Sequence, residues 1–275
     1  MMHYLTDPFQ YVFIQRAALA GMMIGVLCAA WGTFIVLRRM ALVGHALSHS
    51  ALPGLVIAFL LKGNLLVGAF CAVVITAVLI GSLSKDDKVH EDTSAGIIPN
   101  VMFAAGILLI STSRSYRDLF SMLFGNILGV TAMDLGMIAV ITVVALVALF
   151  FFYKELKLCS VDPDYARAIG IPVDRLRYAL LIVLSLTVVV GIQAVGTVLT
   201  NALLVIPVAA ARLLTDRLGV LMLLACLFAM IAALGGVYLS YYFGLSSGAS
   251  IVAVCAFIFG VAWFYKKFQK RHEIS

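Results

Sequence analysis

Residues 131–153 read TAMDLGMIAVITVVALVALFFFY, and no charged side chain occurs between Leu135 and Tyr153. A helix needs about 20 mostly apolar residues to cross the hydrocarbon core of a bilayer. A strand of a membrane barrel would instead alternate apolar and polar residues along its length, and this stretch does not. The stretch therefore predicts a helix that spans a membrane.

The remainder of the chain repeats this pattern. Hydrophobic residues make up 64 % of the 275 residues and charged residues 12 %, against about 45–50 % and about 25 % in soluble proteins. This composition excludes both a soluble domain and a disordered chain. The candidate spans are about 17–36, 44–61, 65–83, 93–112, 131–153, 177–199, 218–240 and 246–265, and a shorter run at 201–214 contains Pro207. We predict a single all-α, polytopic membrane domain over residues 1–275, with eight full transmembrane helices and one short or broken segment.

Basic residues indicate how this domain is oriented. The net charge is +6, but the charges are sparse and lie between apolar runs, which does not suggest a nucleic-acid surface. If all nine segments cross, 15 of the 19 lysines and arginines fall on one side, and only Arg16, Lys62, Arg114 and Arg117 fall on the other. Cytoplasmic loops carry such an excess. The C-terminus and the connection 154–176 are therefore predicted to be cytoplasmic, whereas the side of the N-terminus depends on whether 201–214 crosses.

Two histidines lie inside the second apolar run. On a helix, His45 and His49 share one face about 6 Å apart, with Ser48 beside them. Polar groups inside a span are costly unless they face protein or water, and they often mark pathways. Imidazoles at this spacing can bind one transition-metal ion, and a symmetric dimer would supply four ligands. The alternative is that the histidines lie at the interface near Arg38 and Arg39 and bond groups at a helix end.

The connection between the fifth and sixth spans contains a short helix signal at 162–170. Asp162 can cap a helix that begins with Pro163, and Gly170 is suited to end it. So short a helix is not stable alone in water, so it needs a surface to dock on. That surface is either a protein groove, which the small residues Ala166 and Gly170 favour, or the lipid headgroups.

Two further polar residues, Gln193 and Asn201, lie in apolar surroundings. They either form hydrogen bonds between helices or line a pathway. The polar loops are too short to form a catalytic domain, and no GxxxxGK[ST] motif occurs, so the chain cannot cradle ATP phosphates by itself. We therefore do not expect an enzyme; the energy for transport would come from an ion gradient or from another subunit.

Three stretches together resemble a known family. They are LRRMxLxGxAxSHxxLPG at 37–54, DPxxAxxxG at 162–170 and VGTxLxxALLxIP at 195–207. In this order they are similar to the permease subunit of bacterial zinc/manganese/iron ATP-binding-cassette importers, and the similarity extends from about residue 15 to 265.

The resemblance implies a homodimer in the bacterial cell (inner) membrane. Its partners would be two cytoplasmic ATPase subunits, an extracytoplasmic metal-binding protein and membrane lipid, with no nucleic acid. No cofactor would be bound permanently, because the divalent ion (Mn, Zn or Fe) is the cargo. The implied sites are the metal pathway at His45 and His49, the coupling helix with Asp162, Pro163, Ala166 and Gly170, and possible pathway lining by Ser48, Gln193 and Asn201.

One position departs from the family pattern, because His45 stands where an acidic residue is usual. Four neutral imidazoles in a dimer would still bind Zn²⁺, Fe²⁺ or Mn²⁺, but without two negative charges and with sensitivity to mild acid. The rival function is a secondary metal transporter driven by an ion gradient. It would need intramembrane carboxylates, and Asp134 is the only acidic residue near the interior of a predicted span.

Overall fold

The computed structural model describes residues 10–84, 91–111 and 127–272. Lys85, Lys88, Arg114 and Arg117, which entered the charge count, lie outside the described residues. The described part consists of helices: α1 Val12–Leu37, α2 Ala41–His49, α3 Leu52–Leu60, α4 Leu65–Leu83, α5 Glu91–Ser111, a 3-10 turn Ile127–Gly129, α6 Ala132–Val161, α7 Pro163–Ala168, α8 Val173–Val195, α9 Thr197–Leu214, α10 Leu218–Phe243 and α11 Ser247–His272.

Nine segments of the described residues are long and apolar enough to cross a membrane, if α2 and α3 are taken as one segment. The prediction of an all-α, polytopic membrane protein is therefore confirmed. The helix that contains Pro207 is not broken: α9 runs for 18 residues, Thr197–Leu214.

The interrupted segment is instead the second one, between His49 and Leu52. Pro53 contributes to this break, because proline has no N–H to donate to the carbonyl of His49 four residues earlier. The predicted span 177–199 is also divided, because Gly196 adopts φ 90° between α8 and α9.

The centre of the bundle is α1, which packs against α6, α9 and α10. Gly32 of α1 lies directly against the backbone carbonyl of Leu204 in α9, where a Cβ atom would clash. Lipid tails are as apolar as leucine, so helices in a membrane associate largely through such close packing of small residues. The contact therefore positions α9 against α1, and with it Asn201 near α2.

Two hydrogen bonds define one end of the bundle. Arg38, after α1, donates from Nε to Ser160 Oγ of α6 at 3.1 Å, and the Arg177 guanidinium of α8 bonds Ser84 after α4. The C-terminal ends of α1, α4 and α6 thus lie beside the N-terminal end of α8; we call this the basic end. It agrees with the charge distribution, which assigns all of these ends to one side.

Candidate functional site

The histidine pair, His45 and His49, lies on α2. The two rings meet edge to face with centroids 4.5 Å apart, as the four-residue spacing predicts. At 1.5 Å per residue, they lie about 6 and about 12 Å along α2 from its first residue, Ala41. His45 is exposed and His49 half-buried. Both rings are therefore placed along a membrane-spanning segment, several ångströms from its start.

The pair faces a cavity of about 330 Å³ between α2 and α5, which we call the histidine cavity. It is lined by Leu42, His45, Ala46, His49, Ala95, Gly96, Pro99, Asn100 and Phe103. A water molecule takes up about 30 Å³ in the liquid. The cavity therefore has room for a divalent cation together with several waters.

The α5 wall of this cavity adds an aromatic ring and oxygen atoms. Phe103 meets the His49 ring edge to face, with centroids 5.4 Å apart. Asn100 donates from Nδ2 to the carbonyl of Gly96 at 2.7 Å, which leaves its amide oxygen as an acceptor. Pro99 has no N–H for the carbonyl of Ala95. Sequence reasoning did not assign these residues to the site; the available signal was Pro99-Asn100 within an apolar run.

Two polar side chains, Ser48 and Asn201, form a hydrogen-bonded chain that ends at the His45 ring. Ser48 is fully buried and its hydroxyl lies 3.0 Å from the carbonyl of Gly44 and 2.9 Å from Oδ1 of Asn201. Nδ2 of Asn201, on α9, lies 3.3 Å from Nδ1 of His45. The structure thus brings Ser48 and Asn201 to the histidines, and Asn201 makes the hydrogen bonds between helices that its position suggested.

Gln193 is not brought to the histidine pair. It is exposed and lines a different cavity of about 750 Å³, together with Asn64 and Asp134. This far cavity is formed by the start of α4, the start of α6 and the end of α8, so it lies at the end of the bundle opposite the basic end. Asp134 accepts hydrogen bonds from the backbone N–H (3.0 Å) and the hydroxyl (2.6 Å) of Thr131, the N-cap of α6, and so completes a capping box.

The short helix α7 has the caps that its sequence predicts. A carboxylate oxygen of Asp162 accepts from the N–H of Tyr165 at 2.9 Å, and Pro163 is the first helical residue. At the other end Gly170 has φ 87°, and its N–H donates to the carbonyl of Arg167 at 3.0 Å. The N–H of Ile171 donates to the carbonyl of Ala166, also at 3.0 Å. These two bonds form a Schellman motif, which ends the helix sharply.

Ala166 lies on the inner face of α7. Its side chain is fully buried in one cluster with Leu156 of α6 and Leu176 of α8, so it cannot form part of a docking surface. Ala166 therefore anchors α7 to α6 and α8, and the coupling role of the residues of α7 stays a prediction. The side chains that α7 presents outward include Tyr165 and Ile169, which are 55 % and 52 % exposed.

The possible metal ligands of one chain are few. Within residues 10–84, 91–111 and 127–272, no group of three or more histidine, cysteine, aspartate or glutamate side chains is placed to share a metal ion. A single copy thus offers two imidazoles and the nearby oxygens of α5.

Comparisons with known proteins show that the chain is similar to membrane components of metal transport systems. The chain is 42 % identical over 260 residues to the manganese transport system membrane protein MntC of Halalkalibacterium halodurans, which covers 94 % of this chain and 89 % of the relative. It is 37 % identical to the chelated iron transport system membrane protein YfeD of Yersinia pestis, over 95 % and 88 % of the two chains.

Among solved structures, PsaBC from Streptococcus pneumoniae in complex with Fab superposes with a TM-score of 0.84 at 33 % identity, over 95 % of both chains. The model of the ABC 3 transport family matches residues 10–266. This match covers all of the helices that form the histidine cavity. The chain is a multi-pass membrane protein that belongs to the ABC 3 transport family.

Proposed function

We propose that this chain is the permease subunit of an ATP-binding-cassette importer, and that divalent manganese or iron passes the histidine pair on its way into a bacterial cell. The observation that carries the proposal is a pair of imidazoles facing a cavity between apolar helices, where polar groups are costly unless they serve a pathway. Relatives named for manganese and for chelated iron support the choice of cargo. Zinc is compatible with imidazole ligands.

A homodimer would complete the pathway. Two copies supply four imidazoles, and the amide oxygen of Asn100 is available on each side. Neutral nitrogen and oxygen donors replace part of the ion's hydration shell without adding negative charge. Such a set binds a dication more weakly than one containing carboxylates. Weak binding suits transport, because an ion that is held too tightly cannot leave.

The energy would come from two ATPase subunits that dock at the basic end. The capped helix α7 is the coupling element of the single permease domain, and Tyr165 and Ile169 form its outward contact. Asp162, Pro163 and Gly170 define its shape, whereas Ala166 attaches it to α6 and α8. At the opposite end, the far cavity with Gln193 would receive the ion from an extracytoplasmic metal-binding protein.

The test is uptake of radioactive Mn²⁺ into proteoliposomes that contain the chain, its ATPase and its binding protein. His49→Ala should reduce uptake at least about tenfold, since it removes two of four imidazoles from the dimer and loss of one supporting metal partner already costs about 10–100-fold. Thr76→Ala is the matched control, because the Thr76 hydroxyl bonds only the carbonyl of Ala72 within its own helix α4 in the described structure.

Two results would contradict the proposal. Normal uptake in His49→Ala would remove the histidine pair from the pathway. Uptake that needs an ion gradient and continues without ATP would show a secondary transporter instead.

A further inference from the structure

The amide of Asn201 bridges two groups of α2. Its Oδ1 lies 2.9 Å from the buried Ser48 hydroxyl, and its Nδ2 lies 3.3 Å from Nδ1 of the His45 ring. Each of these groups can donate or accept a hydrogen bond, depending on its proton. The direction of the amide therefore determines where the His45 proton lies.

The Ser48 hydroxyl has a single proton but two acceptors nearby. It lies 3.0 Å from the Gly44 carbonyl and 2.9 Å from Oδ1 of Asn201. If the amide turns by 180°, Nδ2 donates to Ser48 Oγ while the hydroxyl donates to Gly44. Ser48 then makes two full hydrogen bonds, which a fully buried hydroxyl favours. In this orientation Oδ1 of Asn201 faces His45.

The two orientations have opposite consequences for metal binding. When Nδ2 faces the ring, Nδ1 of His45 accepts, and the proton of the neutral imidazole is on Nε2. Neither nitrogen then has a free lone pair for a metal. When Oδ1 faces the ring, Nδ1 carries the proton and donates it to the amide. Nε2 is then free to bind a cation from the histidine cavity.

We infer that Asn201 is a positioning residue for metal passage at His45. Its amide occupies Nδ1 in both orientations, so Nε2 is the nitrogen that binds the ion. The ion can bind only when the amide oxygen of Asn201 faces the ring. When Nδ2 of Asn201 faces the ring instead, Nε2 of His45 carries the proton and cannot bind the ion. This inference rests on the proposed function. Partners of this kind, which orient a metal-bound histidine through its second nitrogen, typically change metal affinity 10–100-fold when they are removed.

The experiment uses the full chain purified with its ATPase, labelled with ¹⁵N-histidine, and Zn²⁺ as a diamagnetic probe. The nitrogen NMR signals show which ring nitrogen carries the proton, and His45→Gln identifies the His45 signals. In the wild type with Zn²⁺, His45 should carry its proton on Nδ1 and the metal on Nε2. Asn201→Leu should weaken Zn²⁺ binding about 10–100-fold and give a mixture of the two proton positions.

Two further variants separate positioning from packing. Asn201→Asp keeps an acceptor of the same shape, so it should keep the proton on Nδ1 and bind Zn²⁺ at least as tightly as the wild type. Ser48→Ala removes the group that favours one amide orientation, so it should shift the His45 signals toward the mixture. Thr76→Ala, which removes a hydroxyl that bonds only the carbonyl of Ala72 within α4 in the described structure, is the control and should change neither measurement.

The inference is overturned if Asn201→Leu and Ser48→Ala leave the His45 signals and Zn²⁺ affinity unchanged, or if Asn201→Asp loses as much affinity as Asn201→Leu. Such results, combined with loss of uptake in His49→Ala, would leave the proposed pathway intact. If the wild type binds no Zn²⁺ through the histidines and His49→Ala transports normally, both the inference and the proposed function fail.

Discussion

Gly170 offers the sharpest test of the coupling helix, because its substitution perturbs α7 through the backbone alone. Its φ of 87° lies in the left-handed region. A methyl group at this position would meet no atom within 4 Å, so Gly170→Ala introduces no clash. The remaining cost is that of a left-handed conformation for a residue with a Cβ, about 1–2 kcal/mol.

A helix of six residues has few other interactions that could absorb this free-energy cost. One or two kcal/mol corresponds to a factor of about 5–30 in an equilibrium constant. The fraction of molecules in which the Schellman motif of α7 is unfolded should therefore rise by that factor. The amides of Gly170 and Ile171 should exchange hydrogen faster by the same factor. Asparagine enters the left-handed region more readily than other residues with a Cβ, so Gly170→Asn is the matched control and should lie near the wild type.

The assay compares ATPase co-purification, metal uptake and hydrogen exchange in the three proteins. Gly170→Ala should lose bound ATPase and uptake together, while the large helices keep their exchange rates, because the main contacts of α7 are with its neighbours α6 and α8. Faster exchange in α7 with wild-type co-purification and uptake would refute the coupling role, since the helix end would then be dispensable for docking.

Three other outcomes are expected. His45→Asp should keep Mn²⁺ uptake, because a carboxylate supplies an oxygen ligand of the kind that Mn²⁺ prefers; loss of uptake in this variant would contradict the reasoning. Gly32→Leu should lower the yield of folded protein in size-exclusion chromatography, because its side chain would clash with the Leu204 backbone. Gly136→Leu is its control, since a Cβ there meets no atom within 4 Å. Thr131→Ala should lower the free energy of unfolding by about 1 kcal/mol, because Thr131 is the N-cap of α6 and its hydroxyl accepts from the N–H of Asp134; an unchanged melting temperature would argue against it.

The number and approximate positions of the spans could be predicted from the sequence because bilayer thickness fixes the length of an apolar helix. The shared face of His45 and His49 followed from helix periodicity alone. The caps of α7 were predictable as well, since Asp162, Pro163 and Gly170 each act within a few residues of their own position.

The wall opposite the histidines was not predictable in this way. Phe103 and Asn100 reach the site because α5 packs beside α2, and the choice of neighbour among similar apolar helices depends on small residues far apart in sequence. Gly106 of α5, for example, lies against Leu52 of α3, where a Cβ would come within 2.8 Å of its side chain. Hydropathy contains no information on such contacts.

Irregular backbone supports a hydrated pathway independently of the imidazoles. Pro53 leaves the carbonyl of His49 without its helical donor, and Pro99 does the same for Ala95 in the histidine cavity. Gly196 ends α8 and starts α9 five residues before Asn201. Helix interruptions at membrane depth are tolerated where they are buried in protein or line a water-filled cavity. Of these three features, only Pro99 lines the histidine cavity, within a continuous α5. The carbonyl of Ala95, which also lines this cavity and lacks its helical donor, therefore adds an oxygen acceptor beside the histidine pair and favours water and cations at this position.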